Sequence, residues 1–285
     1  MKKFLLGGTA LVAMFAGSAM AADIPVRAPV YKAPPMEAVY SWTGCYLGVN
    51  AGGIFGTNRY NLSMGGDFLL PGNIFSNPAN QALTTHSTSG DRAGFTGGAQ
   101  VGCNWQSGQL VYGVEADING SSRRTTTAAL GPIGPFVGGG AALMASHTES
   151  LTKSLDWYST FRGRLGFTPA PNLLLYATGG LAVAEVKSSA SLAFGADQFF
   201  LGSFLFNGSQ SQTRTGFAAG AGAEWAVAPK WSIKAEYLYL GLGNTNYAAR
   251  CFSPIASCAA ASNFVWNVNV RAQDHIGRVG VNYHF

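Results

Sequence analysis

Apolar and polar residues alternate along several stretches of the chain, most clearly in residues 278–285. Val279, Val281, Tyr283 and Phe285 share one parity, and the residues between them are small or polar. Side chains alternate between the two faces of a strand, so this stretch predicts a ribbon that is apolar on one side only. The same period of two predicts eight strands, at about residues 42–56, 93–106, 110–122, 153–168, 172–187, 213–228, 231–244 and 268–285.

The connections between the predicted strands alternate in length. Tight connections at residues 107–109, 169–171 and 229–230 separate long ones at about 57–92, 123–152, 188–212 and 245–267. Eight antiparallel strands with both chain ends on one side leave three connections there and four on the opposite side. Short periplasmic turns and long external loops are typical of outer-membrane barrels, whereas a soluble sandwich has no reason for this asymmetry. The pattern therefore predicts an all-β fold, an eight-stranded antiparallel transmembrane β-barrel.

The N-terminal residues predict export. Lys2 and Lys3 precede an apolar stretch at residues 4–15, and Ala19-Met20-Ala21 has the small-x-small pattern of a cleavage site. The apolar stretch is shorter than the about 20 residues that a membrane-spanning helix needs. We therefore expect a signal peptide over residues 1–21 and the barrel over residues 42–285. Residues 22–41 contain four prolines and are expected to be an extended periplasmic tether, either contacting the cell wall or acting as a simple spacer.

Composition supports the membrane interpretation. Only 11% of the residues are charged, compared with about 25% in typical soluble domains, and 38 of the 285 residues are glycine. Removal of the signal peptide leaves 16 basic against 13 acidic residues, a net charge of +3. Because this charge is small and dispersed, we expect no nucleic-acid partner. A secreted β-protein with a dry core would have a similar composition.

The polar faces of the predicted strands carry charges of both signs. A lysine or arginine facing lipid at mid-depth would cost about 2–4 kcal/mol, whereas inward charges can pair with one another. An eight-stranded barrel is just wide enough for side chains to fill it. The sequence therefore predicts a filled interior without a continuous pore, and an ion-pair network there of Glu115, Asp117, Arg162, Arg164, Glu224, Lys234, Glu236 and Arg278.

The four cysteines lie in the part of the chain that is expected to be exported, where disulfides form and persist. Cys251 and Cys258 bracket six residues of the last long connection, and we predict a disulfide between them. Cys45 and Cys103 face outward near the periplasmic ends of neighbouring predicted strands. They are either cross-strand partners or two small lipid-facing residues.

No pattern predicts a metal site, a cofactor site or a catalytic centre. The sequence has no Cys-x-x-Cys or His-x-x-x-His spacing, and His86 and His147 lie in separate predicted loops, where a single histidine is usually solvated. A membrane-embedded hydrolase would need a serine, a histidine and an acid together at the external rim. Ser146-His147 and His275 are the only nearby candidates, so we expect no enzymatic activity.

Four motifs occur in order along the chain: WTGCYLGVNAGG at residues 42–53, YATGGLA at 176–182, KAEYLY at 234–239 and GVNYHF at 280–285. They resemble the strands of small alphaproteobacterial outer-membrane proteins, the rhizobial and brucella-type porin-like surface-antigen family. The resemblance covers residues 42–285 apart from the loops, and Cys45 and Cys103 stand where this family usually has aromatic residues. It implies an OmpA-like barrel in the outer membrane whose Phe285 is recognised by the barrel-assembly machinery.

The resemblance also implies a function in envelope integrity and in surface interaction through the external loops. The expected partners are outer-membrane lipid and lipopolysaccharide, the assembly machinery, and host or environmental surface ligands. The alternative is narrow porin-like diffusion or haem binding, with His86 or His147 as the candidate ligand, because some relatives bind haem. No haem ligand can be transferred from the family, since the loops match no defined motif, and no cofactor is expected.

Overall fold

The computed structural model describes residues 40–72, 76–131, 147–194, 204–252 and 263–285. The predicted signal peptide and almost all of the predicted tether lie outside this part of the chain. Among the described residues, no helix is long and apolar enough to cross a membrane. The described elements are β1 Gly44–Phe55, β2 Thr57–Gly66, a 3-10 turn Asp67–Leu69, α1 Pro78–Thr84, β3 His86–Asp91, β4 Gly94–Ser107, β5 Leu110–Gly131, β6 His147–Ala170, β7 Leu173–Phe194, β8 Phe204–Ala228, β9 Trp231–Cys251 and β10 Phe264–His284.

Eight of these strands close into a ring in the order β1-β4-β5-β6-β7-β8-β9-β10. Neighbouring strands are antiparallel, and β10 returns to β1 with Tyr46 opposite His284 and Phe55 opposite His275. A closed ring has no unpaired strand edge, which is the condition for spanning hydrocarbon with strands. The eight-stranded barrel predicted from the alternation of residues is confirmed.

The three tight turns lie at residues 108–109, 171–172 and 229–230, at one end of the ring that we call the turn end. The opposite end, which we call the loop end, differs from the prediction, because the strands continue far into the ranges expected to be loops. β5 continues to Gly131 and β6 begins at His147. β2 and β3 extend the first two barrel strands beyond Gly56, and β2 pairs there with the first half of β10.

Along this extension the outer faces of the strands change from apolar to polar, and the inner faces change from polar to apolar. In the turn-end half of β6, Phe161 and Leu165 point outward and are 60% and 59% exposed. In the loop-end half, Thr148 and Ser150 point outward, whereas Leu151 is buried inside. The outward apolar residues of the turn-end half form the apolar belt, and the loop-end extension has the polar outside and apolar inside of a water-soluble barrel. The predicted bounds of the long connections were wrong here, because the pattern used to predict strands requires an apolar outer face, and the outer face of the extension is polar.

The apolar belt has the height of a bilayer. On β4 the outward apolar residues run from Phe95, which is 81% exposed, to Trp105. Ten steps of about 3.3 Å, on a strand tilted by about 40°, give a height of about 25 Å. This equals the roughly 25 Å apolar band of outer-membrane barrels.

Two predicted side-chain orientations are wrong. The period-two pattern of residues 153–168 predicts that Leu155 lies on the outer face with Trp157, but a bulge between these two residues shifts the register and turns Leu155 inward. Aromatic residues at strand ends are typical of the girdles of outer-membrane barrels, so the sequence predicts that Trp42 is exposed at the turn end, as Trp105 and Trp231 are. It is instead fully buried, and its indole nitrogen donates a hydrogen bond to the Pro171 carbonyl at 3.3 Å. Trp42 therefore closes the barrel at the turn end.

Candidate functional site

A layer of charged side chains fills the barrel interior at the level of the apolar belt. Arg162 lies at its centre, where Nη2 donates to Glu115 at 2.5 Å and to Asp117 at 2.9 Å. Its Nη1 donates to Glu236 at 3.1 Å. Arg278 donates to the same Asp117 oxygen at 2.9 Å and, through Nε, to Glu236 at 2.7 Å.

The rest of the layer lies nearer the turn end. Arg164 donates to Glu224 at 2.7 Å, and the Lys234 ammonium donates to both oxygens of Glu115 at 3.0 and 2.9 Å. The structure thus brings together all eight residues that the sequence predicted for the network, and none is more than 5% exposed. Because four cations face four carboxylates, the layer is electrically neutral and each charge has a partner of opposite sign.

Strand register explains why these residues meet. Glu115 is directly opposite Arg162 on the β5–β6 pair. Glu224 is opposite Lys234 on β8–β9, and Glu236 is opposite Arg278 on β9–β10. Cross-strand neighbours on one face have Cβ atoms about 5 Å apart, so each pair is brought into contact by backbone pairing alone. The alternation in the sequence determines that these side chains point inward, and the strand register determines which of them meet.

Sequence reasoning missed two tyrosines in this layer. The Tyr46 hydroxyl donates to Glu115 at 2.5 Å and accepts from Arg164 at 2.6 Å. The Arg164 guanidinium also lies 3.9 Å from the centre of the Tyr176 ring, a cation–π contact. Tyr176 packs over Gly222, where a Cβ atom would meet its hydroxyl at 2.6 Å. The sequence signal that could have found them is a tyrosine at an inward position of one strand together with a glycine at an inward position of another strand.

Apolar layers lie on both sides of the charged layer. At the turn end, Trp42, Val111, Leu174 and Tyr176 pack together. Towards the loop end, a larger cluster is buried: Ile54, Leu155, Tyr158, Ala182, Ala184, Val186, Ala218, Leu238, Leu240, Leu242 and Ile276. Side chains therefore occupy the interior through the whole thickness of the apolar belt.

A second buried charge group lies above these layers and was not predicted; its central member, Arg123, lies in a range assigned to a loop. Arg123 forms an ion pair with Asp274 and donates to the Gly56 carbonyl at 2.6 Å. Lys153 lies 3.7 Å from the other Asp274 oxygen. Beyond this group the interior is apolar again, around Trp266 and its buried neighbours.

Two histidines and a glutamate lie inside the loop-end extension, next to Trp266. His86 Nε2 is 2.8 Å from Glu149 Oε2, and His147 Nε2 is 3.8 Å from the same oxygen. The hydrogen bond with Glu149 raises the pKa of His86. Burial alone would raise the pKa of Glu149, but the imidazoles of His147 and His86 beside the carboxylate outweigh it and lower this pKa to about 2. The interpretation of both residues as solvated loop histidines is wrong, since both are on strands, His86 is hydrogen-bonded to Glu149 and His147 is only 2% exposed.

The residues considered for a hydrolase do not converge. His147 points into the barrel, whereas His275 is on the outer face, where its Nδ1 lies 2.5 Å from the Tyr237 hydroxyl. Ser146 lies outside the described residues. The candidate constellation at the external rim is therefore not formed by these two histidines.

The structure decides between the two alternatives for the first cysteine pair. Cys45 and Cys103 are opposite each other on β1 and β4 and form a disulfide, with Cα atoms 4.0 Å apart. The predicted Cys251–Cys258 disulfide includes a residue outside the described part of the chain and stays a prediction. Recognition of Phe285 by the assembly machinery also stays a prediction; its ring is 75% exposed.

Comparisons with known proteins agree with this architecture. A family model described as "Outer membrane protein beta-barrel domain" matches residues 9–285. The 31 kDa outer-membrane immunogenic protein of Brucella melitensis is 34% identical over 286 residues, which cover 100% of both chains. The 22 kDa outer membrane protein of Rhizobium leguminosarum bv. viciae is 30% identical over 213 residues, 75% of this chain and 70% of that protein.

Solved structures with a similar chain trace are more distant in sequence. The outer membrane protease OmpT of Escherichia coli is 11% identical, with a TM-score of 0.44, and covers 86% of this chain and 98% of its own. The outer membrane protein OprG of Pseudomonas aeruginosa is 10% identical, with a TM-score of 0.42, and covers 85% of this chain and 97% of its own.

Proposed function

The chain belongs to the outer membrane protein β-barrel domain family, and from that premise we propose that it is a closed, non-conducting barrel that supports the envelope and presents a contact surface. Membership of the family places the protein in the outer membrane. The curated relatives are named as outer-membrane proteins, and those from Brucella as immunogenic ones, which agrees with a part exposed at the cell surface. The chemistry of the interior and of the loop-end extension supports the two parts of the proposal separately.

The filled interior is the observation that carries the proposal. A solute crossing the barrel would have to displace the neutral charged layer centred on Arg162, which is 0% exposed. It would also have to pass the fully buried ring of Trp42 at the turn end. Breaking a buried ion pair costs about 3–5 kcal/mol, so a transient opening of several pairs at once is rare. The interior therefore gives porin-like diffusion no continuous path.

Conductance across planar bilayers tests this part of the proposal. Purified, folded protein should give no sustained ohmic steps under conditions in which a general porin, inserted as the positive control, conducts. Insertion is checked separately by the mobility shift of unboiled protein on gels. Stable conductance on the scale of a general porin would refute a closed barrel.

Two arginines support lipopolysaccharide as a partner of the loop-end extension. Arg59 and Arg271 are directly opposite on the β2–β10 pair, and both point outward. Like charges directly opposite each other destabilise a strand pair, and within the described residues neither guanidinium has an ion-pair partner. Arginine binds phosphate groups in a bidentate geometry. A lipid A phosphate between these two arginines would neutralise the repulsion at the outer boundary of the apolar belt.

Binding of lipid A with and without its phosphates tests this partner. We expect the folded protein to bind bisphosphorylated lipid A in preference to the dephosphorylated form. The Arg59→Ser/Arg271→Ser variant should lose this preference, whereas Lys187→Ser, which removes an exposed lysine already paired with Asp156, should retain it. An unchanged preference in the double variant would contradict the assignment.

The envelope role is tested in cells. A strain that lacks the protein should become sensitive to detergent, and the wild-type gene should restore resistance. If the barrel itself supports the envelope, the Arg59→Ser/Arg271→Ser variant should restore resistance only in part, since it retains the barrel and loses the lipid contact. Equal detergent resistance with and without the gene would refute this role.

A further inference from the structure

The cluster of His86, His147 and Glu149 has the composition of a metal site. One ligand atom of each residue, two imidazole nitrogens and a carboxylate oxygen, lies within 4.8 Å of the others. Their chain positions are far apart, with His86 at the start of β3 and the other two on β6. The two imidazole rings are 5.1 Å apart, and both lie close to the indole of Trp266. The strands therefore hold the three ligands together without a local sequence motif.

Both ring nitrogens of His86 face hydrogen-bond acceptors, so a positive charge is needed beside its Nε2 atom. Its Nδ1 lies 3.0 Å from the Thr84 carbonyl and its Nε2 lies 2.8 Å from the Glu149 carboxylate. Both neighbours only accept hydrogen bonds, whereas a neutral imidazole carries a single proton. If Nδ1–H donates to the carbonyl, the Nε2 lone pair faces the carboxylate, and either a second proton or a metal ion must lie between them. A backbone carbonyl that fixes the ring through its other nitrogen is the usual support of a metal-binding histidine.

Glu149 gives a second, independent indication. Its side chain is 0% exposed. Among the described residues, its Oε1 atom has no hydrogen-bond partner, and its ion-pair contacts are the two histidines. A buried carboxylate is costly unless a cation compensates it. A metal ion bound by both histidines would supply that charge and could be reached by Oε1 as well.

The ligand types select the metal. Two imidazoles and one carboxylate are the set that binds Zn²⁺ and related late transition metals, whereas Ca²⁺ and Mg²⁺ prefer oxygen ligands alone. Ligand atoms around a tetrahedral Zn²⁺ are separated by about 3.3 Å, given bonds of about 2.0 Å. The observed separations from the shared carboxylate oxygen, 2.8 and 3.8 Å, lie on either side of this value. The three ligand atoms all lie within 4.8 Å of one another, so side-chain shifts of up to about 1.5 Å would complete the geometry, with water as the fourth ligand on the part-exposed side of His86.

We propose that His86, His147 and Glu149 bind a single late transition metal ion of the Zn²⁺ class inside the loop-end extension. The ion has a structural role, because it joins two parts of the barrel wall that strand pairing leaves unjoined. In the described residues no backbone ladder joins β3 to β5, so the outer part of the barrel has a seam between the β2–β3 pair and the β5–β6 pair. His86 is on one side of the seam, and His147 and Glu149 are on the other. The metal ion closes the seam with ligand bonds where hydrogen bonds between strands are missing.

Metal titration of the folded, tag-free protein tests the site directly. After treatment with EDTA and desalting, we expect saturable binding of one Zn²⁺ per chain at pH 7, with no binding of Ca²⁺ or Mg²⁺ at millimolar concentration. Co²⁺ in place of Zn²⁺ should give the visible ligand-field bands of a tetrahedral site. His147→Gln should weaken Zn²⁺ binding by at least about tenfold, the lower end of what even outer-shell partners of metal ligands cost. His275→Gln, which changes a histidine on the outer face, is the matched control and should leave the affinity unchanged.

Hydrogen exchange tests the seam, and it also separates loss of metal from loss of folding. Zn²⁺ should slow exchange in residues 86–91 of the wild-type protein and leave it unchanged in His147→Gln, while the mobility of the unboiled protein on gels shows that the variant is folded. Absence of saturable Zn²⁺ binding, or equal binding by wild-type and His147→Gln, would overturn the proposal. These results are independent of whether the barrel conducts.

Discussion

Replacement of Arg162 by methionine is the sharpest test of the charged layer. Arg162 contacts Glu115, Asp117 and Glu236 at 2.5, 2.9 and 3.1 Å, and its side chain is fully buried. Methionine has a similar length and fills much of the same space, so the change removes the charge and its hydrogen bonds more than it creates a cavity. Three cations would then face four carboxylates in a space closed to water.

The structure sets the expected magnitude. Removing one partner of a buried ion pair costs about 3–5 kcal/mol, because the other charge stays buried without compensation. Arg162 has three partners, but Arg278 still contacts all three, Asp117 at 2.9 Å, Glu236 at 2.5 Å and Glu115 at 3.6 Å. We therefore expect Arg162→Met to lower the free energy of unfolding by about 3–5 kcal/mol rather than by a multiple of that figure.

Restoring charge balance should recover part of the loss. In Arg162→Met/Asp117→Asn three cations face three carboxylates, and the asparagine oxygen can still accept from Arg278 and Thr160, which lie at 2.9 Å from Asp117. Groups in one network typically couple by about 0.5–3 kcal/mol. The double variant is therefore expected to be more stable than Arg162→Met, although Asp117→Asn alone should destabilise the protein.

The assay is denaturant unfolding in detergent micelles, followed by tryptophan fluorescence and by gel mobility without boiling. Lys187→Met is the matched control, because Lys187 forms its ion pair with Asp156 on the outside, with side chains 50% and 38% exposed, and should give no measurable change. If Arg162→Met and Lys187→Met have the same small effect, the buried layer does not stabilise the barrel as argued.

Three further predictions concern packing and the disulfide. Gly222→Ala should destabilise the barrel by about 1–3 kcal/mol in the same unfolding assay, because its Cβ would meet a backbone oxygen at 2.7 Å, whereas Gly277→Ala, with nothing within 4 Å, should be neutral. Leu155→Ala should cost about 2–5 kcal/mol, since Leu155 is 1% exposed and its removal leaves a cavity; a cost below 1 kcal/mol would place this side chain outside the core. Reduction of Cys45–Cys103 should lower the unfolding free energy by up to about 4 kcal/mol, given the 58-residue separation of the two cysteines, and Cys45→Ala should show the lowered value with no further response to reductant.

The sequence by itself determined the barrel, its inward charges and its short turns. Alternation with a period of two is a local property, so it assigned Glu115 and Arg162 to the inner face without knowledge of their neighbours. The cost of a charge in hydrocarbon then excluded the opposite orientation. The same reasoning failed for the loop-end extension, because beyond the bilayer the outer face of a strand contacts water and the apolar residues turn inward. Leu151 and Trp266 are buried in this way, on strands whose outer faces are polar.

Tertiary structure alone decided which residues meet. The partners of Arg162 depend on the register of three strand pairs, and a shift of one residue would send its side chain to the opposite face. Cys45 and Cys103 form a disulfide because β1 and β4 place them opposite each other, although 58 residues separate them in the chain. His86 and Glu149 are 63 residues apart and touch only because β3 and β6 cover the same interior. Contacts of this kind depend on which strands become neighbours when the ring closes, and a local sequence pattern carries no information about that.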